Sequence, residues 1–201
     1  MRITIDMMGQ PCPKPVVEAR KALAQPDTTD VLVLVDNLIA VQNLQKMSDG
    51  LGYQLSYVQN SETDYAVTIQ KVDSGVAAVP AAAAPASSQT GNIVYFITAD
   101  QLGISDTHPG RKLIKGFLYA LSESPDVPEA ILLVNTAVML ATDDSETLED
   151  LKALEKRGTK ILVCGDCIRY YEITDRLAAG SVSNMAEIVE VMTSAARTIT
   201  I

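Results

Sequence analysis

The sequence predicts two α/β domains in one chain. Strand-like apolar runs alternate with amphipathic helix patterns on both sides of a central tract, residues 74–91. That tract has no charged and no aromatic residue, so it buries too little apolar surface to offset the entropy of ordering. We therefore expect a first domain at 1–73, a flexible Ala/Pro/Ser linker at 74–91 and a second domain at 92–201.

The first domain is expected to follow the order β-α-β-α-β-β. Its elements are the strand RITID, a helix at 13–24, the strand DVLVLVD, a helix capped by Asn37, and the strands YQLSYVQ and YAVTIQKV around the turn NSETD. Short apolar or alternating runs predict the strands, and apolar spacing from Val16 to Leu23 predicts a helix face. Two helices on one face of a small mixed sheet give a two-layer sandwich.

The second domain is expected to be a mainly parallel sheet with helices on both faces, because strands and helices alternate along it. Its strands are NIVYFIT, EAILLVN, TKILVC and a final edge strand TITI, and its helices are residues 111–123, one capped by Asp143 with Glu146, and one capped by Asn184 with Glu187. In such sheets the chemistry lies at the carboxyl ends of the strands.

Composition excludes several classes of function. The net charge of −9 disfavours bulk binding to nucleic acid. No run of about 18 apolar residues predicts a membrane span, and the N-terminus lacks the apolar stretch of a secretory signal. The low, odd cysteine count is typical of cytoplasmic thiols rather than of a disulfide framework. We expect a cytoplasmic protein with no cofactor.

The first candidate site is Cys12, which three prolines surround in GQPCPKPV. Pro13 and Pro15 suit the first turn of a helix, where a missing N–H costs nothing. Cys12 would then lie beside the helix start, near free N–H groups and the positive end of the dipole, with Lys14 adding charge. That setting favours a thiolate. The alternative is a buried cysteine that serves as a small apolar residue.

The second candidate site is the Cys164-Gly165-Asp166-Cys167 turn after a buried strand. A C-x-x-C pair at a helix start can form a reversible disulfide, although the Asp166 carboxylate opposes thiolate formation. The pair supplies two of the roughly four ligands that zinc needs, so we expect no metal. Burial of one or both cysteines is the structural alternative.

Three further residues are possible neighbours of this turn in the folded chain. Asn135 and Thr136 end the second strand of the domain and are candidates to line the same crevice. His108 lies in the loop GISDTHPG, where a solvated role is favoured over acid–base chemistry.

The motif CPKP, placed between a first strand and a first helix in IDMMGQPCPKPV, resembles the CPxP signature of the TusA/SirA sulfur-carrier family. The β-α-β-α-β-β order matches that fold, and the likeness covers residues 1–73. The resemblance implies that Cys12 carries a persulfide and that Pro13 and Pro15 are the prolines of the motif. Lys14 is expected to support the thiol site by its charge.

The second half resembles the DsrE/DsrF-like family, in the segments KGFLYAL, LEDLKALEKRGTKILVCGDC and NMAEIVE. The whole chain is similar to YedF-type proteins, which are grouped with sulfurtransferase-like and putative selenium-metabolism proteins. The resemblance implies a reactive cysteine in the CGDC turn, Cys164 or Cys167, and self-association through the second domain. It also implies sulfur-donor and sulfur-acceptor proteins as partners.

Three functions remain open on the sequence. The first is a sulfur or selenium carrier that holds a persulfide on Cys12 and passes it to Cys164 or Cys167, or to another protein. A flexible linker of this length spans about 20–25 Å on average, which makes internal transfer plausible. The second is a redox protein in which Cys164 and Cys167 cycle. The third is a non-enzymatic adaptor.

Overall fold

The computed structural model describes residues 1–71, 92–103 and 108–201, with the side chain of His108 left out. These residues form two compact units, called here the N-terminal unit (1–71) and the C-terminal unit (92–201). The expected linker lies outside the described residues. Within the described ranges, no helix has both the length and the apolar character needed to cross a lipid bilayer.

The N-terminal unit has six elements in the predicted order. They are β1 (Arg2–Asp6), α1 (Lys14–Ala24), β2 (Asp30–Val35), α2 (Leu38–Leu51), β3 (Gln54–Ser61) and β4 (Asp64–Gln70). The sheet runs β1-β2-β4-β3, with β1 parallel to β2 and the other pairs antiparallel. The predicted α/β class is confirmed.

One face of this sheet carries the core of the unit. Burial alternates along β2 and β4, so every second side chain points into the layer between sheet and helices. The helices supply the facing residues, Ala19 and Leu23 from α1 and Val41 and Leu44 from α2. Since β1 and β2 are parallel, their carboxyl ends lie at one edge, and α2 begins directly after that edge.

Local capping decides where α2 begins and ends. The Asn37 side chain accepts a hydrogen bond from the Ala40 N–H at 2.9 Å, and Gly52 adopts a left-handed φ of 69° at the other end. The predicted cap is therefore confirmed. The β3–β4 turn differs from the prediction, because both strands extend further and leave only Glu62 and Thr63 between them.

The C-terminal unit has five strands and four α-helices among its described residues. They are β5 (Ile93–Ile97), α3 (His108–Ser122), β6 (Ala130–Leu133), α4 (Leu148–Lys156), β7 (Lys160–Cys164), α5 (Gly165–Tyr170), β8 (Ser181–Ser183), α6 (Met185–Ser194) and β9 (Arg197–Thr200). Short 3-10 segments follow β6 at Asn135–Ala141 and α5 at Thr174–Arg176. All four strand pairs are parallel, in the order β8-β7-β6-β5-β9.

The central strand of this sheet is covered on both faces. All four residues of β6 are buried, as expected for a parallel strand between helical layers. Helices flank the sheet, and the carboxyl ends of β6 and β7 open at the same edge. That edge holds the Cys164–Cys167 turn.

The predictions for two helices of this unit are wrong in part. The helix expected to start at Asp143 starts at Leu148, because Asp143 instead pairs with Arg176 at 3.3 Å. In α6, Asn184 caps as predicted by accepting from the Glu187 N–H. Only Ile188 of its predicted apolar stripe is fully buried, while Met185 and Val189 are about half exposed.

Candidate thiol sites

Cys12 lies in the loop that joins β1 to α1, and two carboxylates hold that loop. The Asp6 side chain accepts from the Met8 N–H at 3.0 Å, and the Asp36 side chain accepts from the Gly9 N–H at 3.0 Å. Gly9 has a φ of 70°, a left-handed conformation that glycine adopts without strain. Because Asp6 and Asp36 follow neighbouring strands, the thiol loop is fixed to the carboxyl edge of the sheet.

The prolines start α1 one residue later than predicted. Pro13 is the N-cap, Lys14 is the first helical residue and Pro15 is buried in the first turn. The first N–H groups of the helix are already bonded, Lys14 to the Pro11 carbonyl and Val16 to the Pro13 carbonyl. The expectation that free helix N–H groups serve the Cys12 sulfur is therefore wrong.

The Lys14 ammonium also differs from its expected place. It donates to Gln10 Oε1 at 3.0 Å, so it braces the loop that precedes Cys12. Lys14 therefore contacts the loop through the Gln10 side chain. The sequence pattern could not distinguish that role from a direct charge contact.

The Cys12 sulfur is exposed, and its hydrogen-bond donor comes from the second helix. Asn43 Nδ2 of α2 lies 3.7 Å from Cys12 Sγ. Sulfur and amide line a cleft of about 40 Å³, together with Pro15, Asn37 and Ile39. Sequence reasoning missed Asn43, because only the packing of α2 beside α1 brings it to the thiol.

Exposed apolar side chains lie on the same part of the N-terminal unit. Ile39, which lines the cleft, is 67% exposed, and its neighbour Leu38 is 45% exposed. Met8 in the thiol loop is also exposed. We call Met8, Leu38 and Ile39 the apolar rim.

In the C-terminal unit, Cys164 ends β7 and Cys167 lies in the first turn of α5. Cys164 is only 3% exposed, whereas Cys167 is half-buried. Only Gly165 and Asp166 separate the two cysteines along the chain. Gly165 between them packs on β8, where a Cβ would lie 3.1 Å from Val182 Cγ1. The small residue therefore lets the turn lie close to the sheet.

Asn135 joins this site from the end of β6, as the sequence suggested. Its backbone N–H donates to Cys167 Sγ at 3.1 Å, and its Oδ1 accepts from the Tyr171 hydroxyl at 2.9 Å. Asn135 has a φ of 53°, a left-handed conformation that is uncommon outside glycine. Thr136 instead accepts from the Asp100 N–H. Tyr171 was not predicted as a site residue.

The surroundings of Cys167 hold it in the thiol form. Burial raises the pKa of the Cys167 thiol, and the hydrogen bond with Cys164 acts in the same direction. The Asn135 N–H opposes both, and the nearby Asp166 carboxylate adds a small further increase. The Asp166 carboxylate is itself paired with the exposed Arg169. The lowered thiol pKa that a C-x-x-C turn often shows is therefore absent at Cys167.

This shift predicts the pH dependence of Cys167 alkylation. In a Cys12→Ser chain, the rate with iodoacetamide is expected to keep rising beyond the pH at which an ordinary cysteine levels off. Only the thiolate reacts, and a raised pKa moves its formation to higher pH. Peptide mass spectrometry across a pH series, beside an unstructured cysteine peptide, measures this. A Cys167 profile that levels off before the peptide's would contradict it.

The left-handed Asn135 predicts a contrast between two substitutions. Asn135→Ala is expected to lower the free energy of unfolding by about 1 kcal/mol, because a Cβ without a local hydrogen bond is disfavoured at this φ. Asn135→Gly removes the same side chain but tolerates the conformation, so it serves as the matched control. Urea unfolding of both variants checks the difference. Equal losses would show that the Tyr171 hydrogen bond, and not the backbone, sets the cost.

The sequence prediction for His108 is tested only at its backbone. The backbone of His108 begins α3, so this residue is not part of the predicted loop. Its predicted solvent exposure concerns a side chain outside the described residues.

Comparison with known proteins matches each thiol site to a family. Residues 3–71 match the family model described as Sulfurtransferase TusA, and residues 127–201 match the DsrE/DsrF-like family. A SirA-like protein from Desulfitobacterium hafniense is 50% identical over 35% of this chain and 96% of that protein, with a TM-score of 0.32. No curated protein matches the chain. The first range contains Cys12, and the second contains Cys164 and Cys167.

Proposed function

Because this chain belongs to the family of proteins that fuse a TusA domain to a DsrE/DsrF-like domain, we propose that it carries sulfur as a persulfide on Cys12 and relays it to Cys167. Both domain types are found in sulfur-relay proteins, so sulfur trafficking is the general role. The carrier residue, the receiving residue and the route between them are the proposal. The main observation in support of the proposal is that Cys12 is exposed on a loop held by hydrogen bonds to Asp6 and Asp36.

The setting of Cys12 suits a covalent carrier. The sulfur is exposed, so a second sulfur can reach it, and the bonds from Asp6 and Asp36 fix the loop before a partner binds. A cleft of about 40 Å³ is far below the roughly 300 Å³ of a typical metabolite pocket. The cargo is thus a small group, and its source is another protein that presents it.

The apolar rim supports protein donors and acceptors as partners. Met8, Leu38 and Ile39 expose apolar surface beside the thiol, where polar residues would be expected in the absence of a contact. Apolar surface of this kind is typical of the centre of protein interfaces. A partner bound there would bring its own sulfur to Cys12.

Cys167 is the better receiving thiol in the C-terminal unit. Cys164 is 3% exposed and lies behind the turn, so a protein-bound persulfide reaches Cys167 first. The Asn135 N–H at 3.1 Å stabilises negative charge on that sulfur during transfer. The raised pKa of the free thiol means that transfer needs deprotonation in the complex with the sulfur donor.

The chemistry of each transfer is a thiol attack on a sulfane sulfur. The Cys12 thiolate attacks the outer sulfur of a donor persulfide, a new S–S bond forms, and the donor cysteine leaves as a thiolate. The Cys167 thiolate then attacks the outer sulfur on Cys12 in the same way. No net oxidation or reduction occurs in either step.

The test is the mass gained at each cysteine after incubation with a sulfur donor. In the wild-type chain, peptides with Cys12 and with Cys167 are expected to gain one sulfur atom, trapped by alkylation. Cys12→Ser and Cys167→Ser chains should each lose the gain at the substituted position only, when inorganic polysulfide is the donor. Selenium-derived donors run in parallel test the second cargo. If Cys12 gains no chalcogen from any donor, the carrier function is wrong.

A redox function is the second candidate, and the C-x-x-C spacing of Cys164 and Cys167 at the junction of β7 and α5 is what favours it. In that case the pair would form a stable disulfide with a defined potential, independent of any sulfur donor. A redox titration of the Cys12→Ser chain distinguishes the two. Full function in Cys12→Ser and Cys164→Ser chains would instead favour an adaptor.

A further inference from the structure

We propose that Cys164 discharges a persulfide held on Cys167, releasing hydrogen sulfide and leaving a Cys164–Cys167 disulfide. The inference rests on the proposed function, because Cys167 must first hold a sulfane sulfur. It assigns Cys164, which the relay itself does not use, a role as a resolving thiol. The C-terminal unit would then deliver its cargo as sulfide as well as persulfide.

The first support is the position of the two thiols. Cys164 is the last residue of β7 and Cys167 lies in the first turn of α5, so the rigid strand–helix junction sets their separation. Only Gly165 and Asp166 separate them along the chain. A turn of this kind is known to accommodate a reversible disulfide. No rearrangement of the sheet is needed to bring the sulfurs together.

The second support is the difference in burial between the thiols. Attack on a persulfide requires the nucleophile to approach the inner sulfur opposite the bond that breaks. Cys164 is 3% exposed, so it can attack only from the protein interior, whereas the half-buried Cys167 leaves room for an added sulfur on its solvent side. The outer sulfur can therefore leave outward. A Cys164 on the surface would instead compete for the outer sulfur with external partners.

The third support is the hydrogen bond that fixes the inner sulfur. The Asn135 N–H donates to Cys167 Sγ at 3.1 Å, and the Tyr171 hydroxyl holds the Asn135 side chain at 2.9 Å. These bonds limit the rotation of the Cys167 side chain and so hold its sulfur at the start of α5. Asn135 and Tyr171 act as positioning residues for the discharge step.

The step balances without an added reagent. The Cys164 sulfur bonds to Cys167 Sγ, the bond between Cys167 Sγ and the outer sulfur breaks, and the outer sulfur leaves as hydrosulfide. The proton of the Cys164 thiol goes to this leaving group, which gives hydrogen sulfide. The sulfane sulfur is reduced by two electrons and the two cysteine sulfurs are oxidised to a disulfide. A dithiol reductant would then restore the pair for another cycle.

The experiment compares two full-length chains, both with Cys12→Ser, so that only the C-terminal pair reacts. One of the two chains also carries Cys164→Ser. Both chains are treated anaerobically with inorganic polysulfide and quenched with iodoacetamide at timed intervals. Peptide masses report persulfide or disulfide at Cys167, and free sulfide is measured in the same samples. Chains kept without polysulfide control for oxidation by other routes.

The expected result is a loss of persulfide that requires Cys164. The chain that keeps Cys164 should form the disulfide and release one more equivalent of sulfide than the Cys164→Ser chain, in which the sulfur stays on Cys167. A Cys12→Ser, Cys167→Ser chain should hold no sulfur on the buried Cys164. Equally long-lived persulfide with and without Cys164 overturns the discharge alone. Absence of any sulfur on Cys167 in the Cys164→Ser chain overturns the relay to Cys167 as well.

Discussion

A Cys12→Ser chain is expected to receive no sulfur at either thiol site from a persulfide-bearing donor protein such as a cysteine desulfurase. Loading of Cys167 should fall by about a hundredfold or more, because removal of the nucleophile removes the covalent route. A donor protein is expected to bind beside the apolar rim, which belongs to the N-terminal unit. Sulfur should therefore enter the chain at Cys12. The mass gained by the Cys12 and Cys167 peptides over time measures the loss.

The matched control is the Cys167→Ser chain under the same conditions. It should still load Cys12 at the wild-type rate, because the first transfer does not involve the C-terminal unit. Inorganic polysulfide, which needs no docking surface, should still react at Cys167 in the Cys12→Ser chain, giving a persulfide or the Cys164–Cys167 disulfide that follows from it, and so show that this site is intact. Direct loading of Cys167 by the donor protein in the Cys12→Ser chain would disprove the order of transfer.

A Leu132→Ala chain is expected to lose about 2–5 kcal/mol of stability in the C-terminal unit. Leu132 is fully buried in β6, between Phe96 of β5 and Leu162 of β7 in the register of the sheet. Truncation removes apolar contacts on a strand that is covered on both faces, and it leaves a cavity. Because the chain runs from β6 to Asn135, which contacts Cys167, protection from hydrogen exchange around Cys167 should fall as the unit loses stability. Hydrogen exchange followed by mass spectrometry reports each unit separately.

Leu113 provides the same substitution at an exposed position. It is 55% exposed on α3, so Leu113→Ala should change stability by no more than about 0.5 kcal/mol. Exchange in residues 1–71 should be unchanged in both variants, because that unit has its own core. An equal loss of protection in the two units after Leu132→Ala would contradict the independence of their cores.

Elements set by local chemistry were predictable from the sequence. Asn37 and Asn184 cap their helices because a side-chain oxygen reaches an N–H three residues ahead, whatever surrounds it. Short apolar runs predict the strands of both units except β8, whose residues Ser181–Ser183 form no such run. The helix expected to start at Asp143 fails for the opposite reason, since Arg176, distant in sequence, takes the carboxylate.

The positions of the thiol sites in the chain were predictable, but the groups that contact each sulfur were not. The prolines around Cys12 correctly mark the start of α1, yet the backbone carbonyls of Pro11 and Pro13 occupy the N–H groups expected to face the sulfur. Asn43 and Tyr171 were missed because each meets its partner only after two elements pack. Asn135 was foreseen from its strand-end position alone. No pattern in the sequence predicts its left-handed backbone conformation.

The position of β9 has a consequence for the order in which the C-terminal unit is completed. β9 pairs with β5, and Thr98 bonds to the carbonyl of Ile201, 103 residues later. At a synthesis rate of about 5–20 residues per second, one edge of β5 would wait roughly 5–20 s for its partner on the ribosome. An uncovered parallel edge during that interval is a surface for wrong pairing. The N-terminal unit pairs β2 with β4 over a much shorter stretch, so it can finish folding first and the need for protection falls on the second unit.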